Sequence, residues 1–170
     1  NRFGLEVHEG YGLSEASPVV AVNPLELPNV TGSIGKVIPN VEVKIVDENF
    51  QEMPVGEIGE LAVRGGNVMK GYLNLPEETA SVLKDGWLLT GDMAKVDEND
   101  YIFIVDRKKE MILVRGHNVY PREVEHILYH HPMVSEVAVV PAKDDRSGEV
   151  VRAVIVPKES GQLTSKEIKD

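Results

Sequence analysis

Short apolar segments that end at glycine, asparagine or aspartate constrain the fold of the first two thirds of the chain. Residues 41–46 alternate between apolar and charged side chains, which predicts a half-buried β-strand. Leu61 and Val63 alternate in the same way, and Gly65 then ends that strand. Another apolar run covers residues 101–105. Many short strands joined by glycine-rich turns predict a barrel-like or curled sheet.

Helix signals interrupt these strands once and then open the final part of the chain. Pro76 suits the first turn of a helix and Gly86 its end. Pro121 starts a second helix, and a capping box that begins at Thr164 starts a third. In the second helix, an apolar stripe is formed by Val124, Ile127 and Leu128. Two runs of β-branched residues, 137–140 and 150–156, predict strands after it. This order predicts an α+β fold.

The net charge of -10 lies entirely in the β-rich part. Residues 1–105 contain 17 acidic and 7 basic side chains, whereas residues 106–170 contain 11 of each. The change falls at the charged cluster 106–110, which lies between two apolar segments. The division predicts two units with different surfaces.

Composition excludes several classes of function. A chain this acidic lacks the Lys and Arg excess of a general nucleic-acid binder. It has no cysteine, which excludes disulfides, thiolate catalysis and Cys-ligated metals. No apolar run approaches the roughly 20 residues of a membrane-spanning helix. These features are most consistent with a cytoplasmic protein, and they leave peripheral attachment to a membrane and homo-oligomerisation open.

The segment from Tyr11 to Glu15 joins an aromatic ring, a glycine, a hydroxyl and a carboxylate within five positions. In a nucleotide site the Tyr11 ring would lie against the base, and Gly12 would allow close approach of the backbone. The hydroxyl of Ser14 would bond a phosphate, and Glu15 would hold Mg²⁺. A surface turn uses the same residue types, so the segment alone fits either interpretation.

Three further segments are candidates for ligand contacts. Asp92 follows a strand-like segment, where a carboxylate after a tight turn either accepts both hydroxyls of a ribose or bonds its own backbone. The basic run from Arg107 to Lys109 either neutralises a polyphosphate or forms a solvated linker. The residues around Gly116 either form a loop that faces a ligand or simply reverse the chain.

His126 and His130 have the i, i+4 spacing that zinc ligands on a helix can have. His126 is not followed by the glutamate of the metalloprotease pattern, and no third ligand is evident. A surface or half-buried role therefore fits these histidines better than a zinc site.

Taken together and in this order, four segments resemble motifs of the adenylate-forming superfamily, which includes acyl-CoA synthetases, peptide-synthetase adenylation domains and luciferases. Residues 9–15 resemble its Tyr-Gly-x-Thr-Glu motif, with Ser14 in place of threonine. Residues 59–72 resemble its Gly-Glu-Leu strand, 86–92 its Thr-Gly-Asp motif, and 105–121 its hinge and the following loop. The Val-Asp-Arg-Lys-Lys and Asn-Val-Tyr-Pro stretches are most similar to bacterial medium- and long-chain fatty-acid CoA ligases.

The resemblance implies a two-step reaction that uses ATP, Mg²⁺ and CoA. The carboxylate of a fatty acid attacks the α-phosphate of ATP and pyrophosphate leaves, after which the thiol of CoA displaces AMP from the acyl-adenylate. By position, Tyr11 would stack on adenine beside Gly12, Ser14 would touch the phosphate and Glu15 would hold Mg²⁺. Asp92 would take the ribose hydroxyls.

The resemblance also assigns the charge cluster and the loop that follows it. Arg107 would lie beside the ribose, Lys109 would be the hinge about which a C-terminal domain rotates, and Gly116 would line the path of CoA. The implied domains are 1–105, the end of the large AMP-binding domain with its β-barrel subdomain; 106–109, the hinge; and 110–170, a truncated small α+β domain.

In the family, a phosphate-binding loop precedes the part that matches this chain, and the lysine of adenylation lies beyond the position of Asp170. We therefore expect this chain to be a piece of a longer enzyme, and we expect the piece to be inactive alone. An aryl-CoA ligase and a peptide-synthetase adenylation domain are the alternatives within the family. A non-catalytic β-rich binding module is the alternative of another class.

Overall fold

The computed structural model describes residues 6–144, 148–158 and 168. Its chain divides into two compact units, Asn1–Val105 and Asp106–Asp170. Within the described residues, no helix is both long enough and apolar enough to cross a bilayer. The helix predicted from Thr164 lies outside the described residues.

The described part of the first unit contains two sheets and one α-helix. The smaller sheet has the order β1 (Gly10–Gly12), β2 (Val19–Val22), β3 (Lys36–Val37). The larger has the order β4 (Val41–Val46), β5 (Gly59–Gly65), β7 (Trp87–Val96), β6 (Leu83–Lys84), and β8 (Ile102–Arg107) also pairs with β7. The helix is α1 (Pro76–Val82). The predicted α+β class is confirmed, and the barrel-like part takes the form of an open five-stranded sheet.

The alternation in residues 41–46 has the predicted effect. In β4, Val41 and Ile45 are buried, while Glu42 between them is exposed. Leu61 pairs with Ile45 and Val63 with Val43, so β5 adds its own apolar side chains to the same face. Burying a side chain of this size contributes about 1.5–3 kcal/mol. The core of the first unit therefore lies against this face of the sheet.

The first helix ends before the glycine that was expected to stop it. The backbone of Leu83 is extended, and β6 pairs directly with the start of β7. Asp85 and Gly86 join these strands, with φ of 50° and 81° respectively. Two residues with positive φ form the primed turn that matches the twist of a hairpin. Gly86 therefore belongs to a β-hairpin and not to a helix end.

The second unit begins with the last two residues of β8, and its described part contains a 3-10 turn (Lys108–Glu110), two hairpins and one α-helix. Its elements are β9 (Ile112–Val114), β10 (His117–Val119), α2 (Pro121–Tyr129), β11 (Val134–Asp144) and β12 (Gly148–Pro157). Val124 and Leu128 pack on the core formed by Ile112, Val134, Val137 and Val139. Ile127 was wrongly assigned to this stripe: it is 70% exposed, because a narrow contact face admits i and i+4 but not i+3 here.

Buried polar groups fix the loop between β2 and β3. The Nδ2 of Asn23 donates to the carbonyl oxygen of Ser33 at 2.7 Å, and the Ser33 hydroxyl donates to the carbonyl of Ile102 at 2.8 Å. Gly35 follows with φ of 88°, and a Cβ there would lie 2.0 Å from the carbonyl carbon of Val22. The backbone of Gly35 therefore packs directly against the backbone of Val22, which leaves no room for a side chain at position 35.

We expect Gly35→Ala to lower the free energy of unfolding of the 170-residue chain by about 3 kcal/mol or more, since it combines a left-handed backbone with steric overlap. Gly32→Ala is the matched control. Gly32 also has positive φ, 81°, but a Cβ there meets nothing within 4 Å. The control should cost only about 1–2 kcal/mol. Equal losses in urea unfolding would contradict the argument from close approach.

Candidate functional site

Four of the predicted site residues lie in β1 and in the segment that joins it to β2. The segment runs through a 3-10 turn, Ser14–Ala16, and turns back when the amide of Leu13 donates to the carbonyl of Pro18 at 2.9 Å. A Cβ on Gly12 would lie 2.2 Å from that same carbonyl oxygen. Glycine at position 12 is therefore required by the fold of this segment.

Asp92 lies in a bulge of β7. Glu60 pairs with Met93 and Ala62 with Leu89, so three residues, Thr90 to Asp92, stand opposite Leu61 alone. The hydroxyl of Thr90 donates to the carbonyl of Leu61 at 2.9 Å, and Gly91 has φ of 75°. The predicted tight turn is thus wrong in form: the chain continues as a strand on both sides, and the bulge directs the Asp92 side chain.

The bulge brings Asp92 to Tyr11 across 81 positions of sequence. The hydroxyl of Tyr11 donates to Oδ2 of Asp92 at 2.5 Å. Both side chains are half-buried. The sequence motifs that contain these two residues therefore meet at one place in the first unit.

Glu15 is held in a second pair of the same kind. The hydroxyl of Tyr72 donates to its Oε1 at 2.9 Å, and the amide of Met69 donates to its backbone carbonyl at 2.7 Å. The hydrogen bond to Glu15, with burial second, raises the pKa of Tyr72 above its ordinary value. The hydroxyl of Tyr72 thus remains a donor, and it orients one oxygen of the Glu15 carboxylate.

Glu60 is a further residue of this site that sequence reasoning missed. It is 7% exposed, and its Oε1 accepts the amide of Gly91 at 3.0 Å. The alternation of Leu61 and Val63 predicts the strand but gives no role to Glu60, which precedes them. A signal was available, because Glu60 is the acidic residue of the Gly-Glu-Leu motif.

The remaining predicted residues lie in the second unit. Arg107 ends β8 and Lys109 lies in the 3-10 turn Lys108–Glu110; both are exposed. Gly116 has φ of 84° and follows Arg115 with φ of 51°, so the two residues form a tight turn between β9 and β10. The sequence allowed either a loop that faces a ligand or a simple reversal of the chain, and the backbone here forms a reversal. A Cβ on Gly116 would face open space.

The surroundings of Glu15 show whether its carboxylate could bind a metal ion. The Glu15 carboxylate uses one oxygen for Tyr72, and no other hydrogen bond or ion pair to its side chain occurs in the described residues. Magnesium is bound through one or two carboxylates together with waters and substrate phosphates. A half-buried, oriented glutamate fits that requirement.

His126 and His130, which have the spacing of zinc ligands, contact each other. The Nδ1 of His130 lies 2.8 Å from the carbonyl oxygen of His126, and the two rings meet edge to face at 4.7 Å. Across residues 6–144, 148–158 and 168, no group of three His, Cys, Asp or Glu side chains is arranged to hold a metal ion.

Comparison with protein families gives two matches along the chain. The profile of the AMP-binding enzyme family matches residues 1–73, and that of the AMP-binding enzyme C-terminal domain matches residues 123–170. Both profiles describe parts of the same enzymes.

Curated relatives carry similar names. A long-chain-fatty-acid–CoA ligase of Escherichia coli O6:H1 is 49% identical over 151 residues, which cover 89% of this chain and 27% of the relative. A ligase of the same name from Bacillus subtilis is 46% identical and is covered to 30%. The 4-coumarate–CoA ligase 2 of Nicotiana tabacum is 44% identical and is covered to 31%. The chain thus spans less than a third of the relatives it matches.

Solved structures agree with the sequence comparison. ATP-bound MatB from Rhodopseudomonas palustris matches with a TM-score of 0.90 at 36% identity, over 97% of this chain and 33% of that structure. The o-succinylbenzoate CoA synthetase MenE from Bacillus subtilis, in complex with its acyl-adenylate, matches with a TM-score of 0.84 at 33% identity, over 97% and 34%. The chain therefore belongs to the AMP-binding, adenylate-forming enzyme family.

Proposed function

We propose that this chain forms part of an ATP-dependent acid–CoA ligase whose acid is a long-chain fatty acid. The main support is the hydrogen bond between Tyr11 and Asp92, together with the one that orients Glu15, in a chain that is 49% identical to a long-chain-fatty-acid–CoA ligase. In the first step an oxygen of the fatty acid bonds the α-phosphorus of ATP, and pyrophosphate leaves. In the second, the sulfur of CoA bonds the acyl carbon, and AMP leaves.

Tyr11, Gly12 and Asp92 hold the nucleoside of ATP in this proposal. A carboxylate accepts hydrogen bonds from two adjacent hydroxyls, which is the recognition that a ribose requires. The bond from Tyr11 fixes Asp92 and at the same time fixes the edge of its own ring, which orients the ring for stacking on the adenine. Arg107 lies beside the ribose.

Ser14 and Glu15 serve the phosphates. The hydroxyl of Ser14 is exposed at the start of the 3-10 turn and donates to a phosphate oxygen. Glu15 holds Mg²⁺, which supplies charge stabilisation at the transferring phosphoryl group. Tyr72 keeps one oxygen of Glu15 occupied and leaves the other for the ion.

Lys109 and Gly116 serve the second step. Lys109 is the pivot about which the C-terminal domain rotates between the two half-reactions. Gly116, at a tight turn without a side chain, lines the path of the pantetheine arm of CoA. The domain division behind these roles is 1–105, 106–109 and 110–170, and the compact units Asn1–Val105 and Asp106–Asp170 support it.

An aryl-CoA ligase is the second candidate, because the tobacco 4-coumarate–CoA ligase is 44% identical to this chain. A peptide-synthetase adenylation domain and a non-catalytic β-rich binding module are further alternatives. A screen of pyrophosphate release by the full-length protein against alkyl and aryl acids and amino acids separates the three enzymes. A binding module would release none with any acid.

The chemistry of the substrates also indicates a location. ATP and CoA are cytoplasmic solutes, whereas a long-chain fatty acid partitions into bilayers. A cytoplasmic enzyme that associates peripherally with the membrane has access to all three. A homo-oligomer is compatible with this arrangement.

The 170-residue chain alone should form no acyl-CoA from ATP, fatty acid and CoA. The resemblance implies a phosphate loop and an adenylation lysine that none of the site residues assigned here supplies, and the chain covers only 27% of the Escherichia coli relative and 31% of the tobacco one. Thioester formation followed by mass spectrometry checks this expectation, with the full-length ligase as the positive control. Product above the enzyme-free blank would contradict it.

Asp92→Asn in the full-length ligase should raise the KM for ATP about tenfold, because an amide is a weaker acceptor for the ribose hydroxyls than a carboxylate. Asp100→Asn is the matched control, since Asp100 is exposed and has the positive φ that asparagine tolerates. Steady-state kinetics with varied ATP measure both. An unchanged KM in Asp92→Asn would remove Asp92 from the nucleotide site.

Tyr72→Phe should raise the Mg²⁺ concentration for half-maximal pyrophosphate release about fivefold, since Glu15 loses the hydroxyl that orients it. The control is Tyr129→Phe, a substitution at an exposed tyrosine of α2. Titration of Mg²⁺ at saturating ATP measures the effect. A fall in rate at every Mg²⁺ concentration without a shift in the midpoint would refute the positioning role.

A further inference from the structure

Asp106 is a fully buried carboxylate that the proposed mechanism does not use. Its two oxygens accept from different amides: Oδ1 from the N–H of Arg107 at 2.8 Å, and Oδ2 from the N–H of Arg122 at 3.1 Å. The Nε of Arg122 lies 3.8 Å from Oδ1. A buried charge requires partners of this kind, since an unpaired one is costly.

The amide of Arg122 belongs to the first turn of α2, where amides have no partner within the helix. Serine, threonine, asparagine or aspartate at the position before the helix usually supplies the missing acceptor. Here that position is Tyr120, whose side chain makes no capping bond, and Pro121 has no amide. Asp106, 16 residues upstream, therefore supplies the cap of α2.

We propose that Asp106 is a positioning residue of the ligase and acts as a clasp between the segment before Lys109 and the helix after it. The proposal rests on the proposed function, in which Lys109 is the pivot. The same carboxylate fixes the amide of Arg107, the residue that the proposed function assigns to the ribose. One side chain thus ties Arg107 to the start of α2.

The order along the chain gives the clasp its consequence. Asp106 precedes Lys109 and Arg122 follows it, so rotation about Lys109 changes the separation of the two bonded groups. We therefore expect the Oδ2 bond to form in one arrangement of the pivot and to break in the other. The clasp sets the balance between the two half-reactions without touching either substrate.

Asp106→Asn in the full-length ligase tests this role. The amide replaces one acceptor oxygen with a donor that faces a backbone N–H, so we expect the ratio of the two half-reaction rates to change about tenfold. Acid-dependent ATP–pyrophosphate exchange measures adenylation, and single-turnover reaction of the acyl-adenylate with CoA measures thioester formation. Equal losses in both half-reactions, or an unchanged ratio, would overturn the proposal.

Two further variants separate the clasp from general damage to the helix. Glu123→Gln also removes a carboxylate from the first turn of α2, but Glu123 is exposed and its side chain bonds neither amide; the ratio should stay within about twofold of wild type. Asp106→Ser keeps one oxygen acceptor and should move the ratio in the same direction as Asp106→Asn, by less. A shift in Glu123→Gln as large as in Asp106→Asn would overturn the assignment.

Hydrogen exchange in the 170-residue chain tests the clasp independently of activity. The amide of Arg122 should exchange about tenfold faster in Asp106→Asn than in wild type and at the wild-type rate in Glu123→Gln. Unchanged exchange in Asp106→Asn would overturn the clasp. A full-length wild type without acid-dependent pyrophosphate exchange would instead refute the proposed function, while the exchange of Arg122 would still decide whether the clasp exists.

Discussion

The bulge in β7 is the constraint on which the candidate site of the first unit depends. Three residues opposite Leu61 cannot all continue the ladder, so the backbone at Gly91 turns to positive φ and the side chain of Asp92 is redirected towards Tyr11. A bulge costs ladder hydrogen bonds unless other acceptors replace them. Glu60 and the hydroxyl of Thr90 replace them by accepting from the amides of Gly91 and Asp92, which makes this irregularity a stable feature of the strand.

The two tyrosines solve a related electrostatic problem. The first unit carries 17 acidic and 7 basic side chains, so a carboxylate there gains little from nearby cations. A tyrosine hydroxyl donates a charge-assisted hydrogen bond without adding a positive charge. Asp92 and Glu15 are each oriented in this way. Ribose hydroxyls and a divalent cation are the kinds of ligand that such carboxylates can still bind.

Regular patterns made much of the fold predictable, and irregular geometry set the limit. The alternation in 41–46 predicts β4, because a one-residue error would put its charged side chains into the core. The helix signal from Pro76 was correct at its start but not at its end, since the Asp85-Gly86 hairpin outweighed the stop that Gly86 indicated. At the candidate site, the sequence predicted Asp92 as a ligand contact but did not predict the bulge in which it lies. Burial of Glu60 depends on a neighbouring strand, and local patterns carry no information about it.

A clasp made of amide donors differs physically from one made of a buried ion pair. Two buried, fully paired charges are costly to separate, because each is then left without a partner in a medium of low dielectric. At Asp106 the bonding partners are backbone amides, and the side chain of Arg122 is largely exposed with its Nε at 3.8 Å. When the Oδ2 bond breaks, the Arg107 amide still holds the carboxylate. The bond is then strong enough to define one arrangement and weak enough to be exchanged within a catalytic cycle.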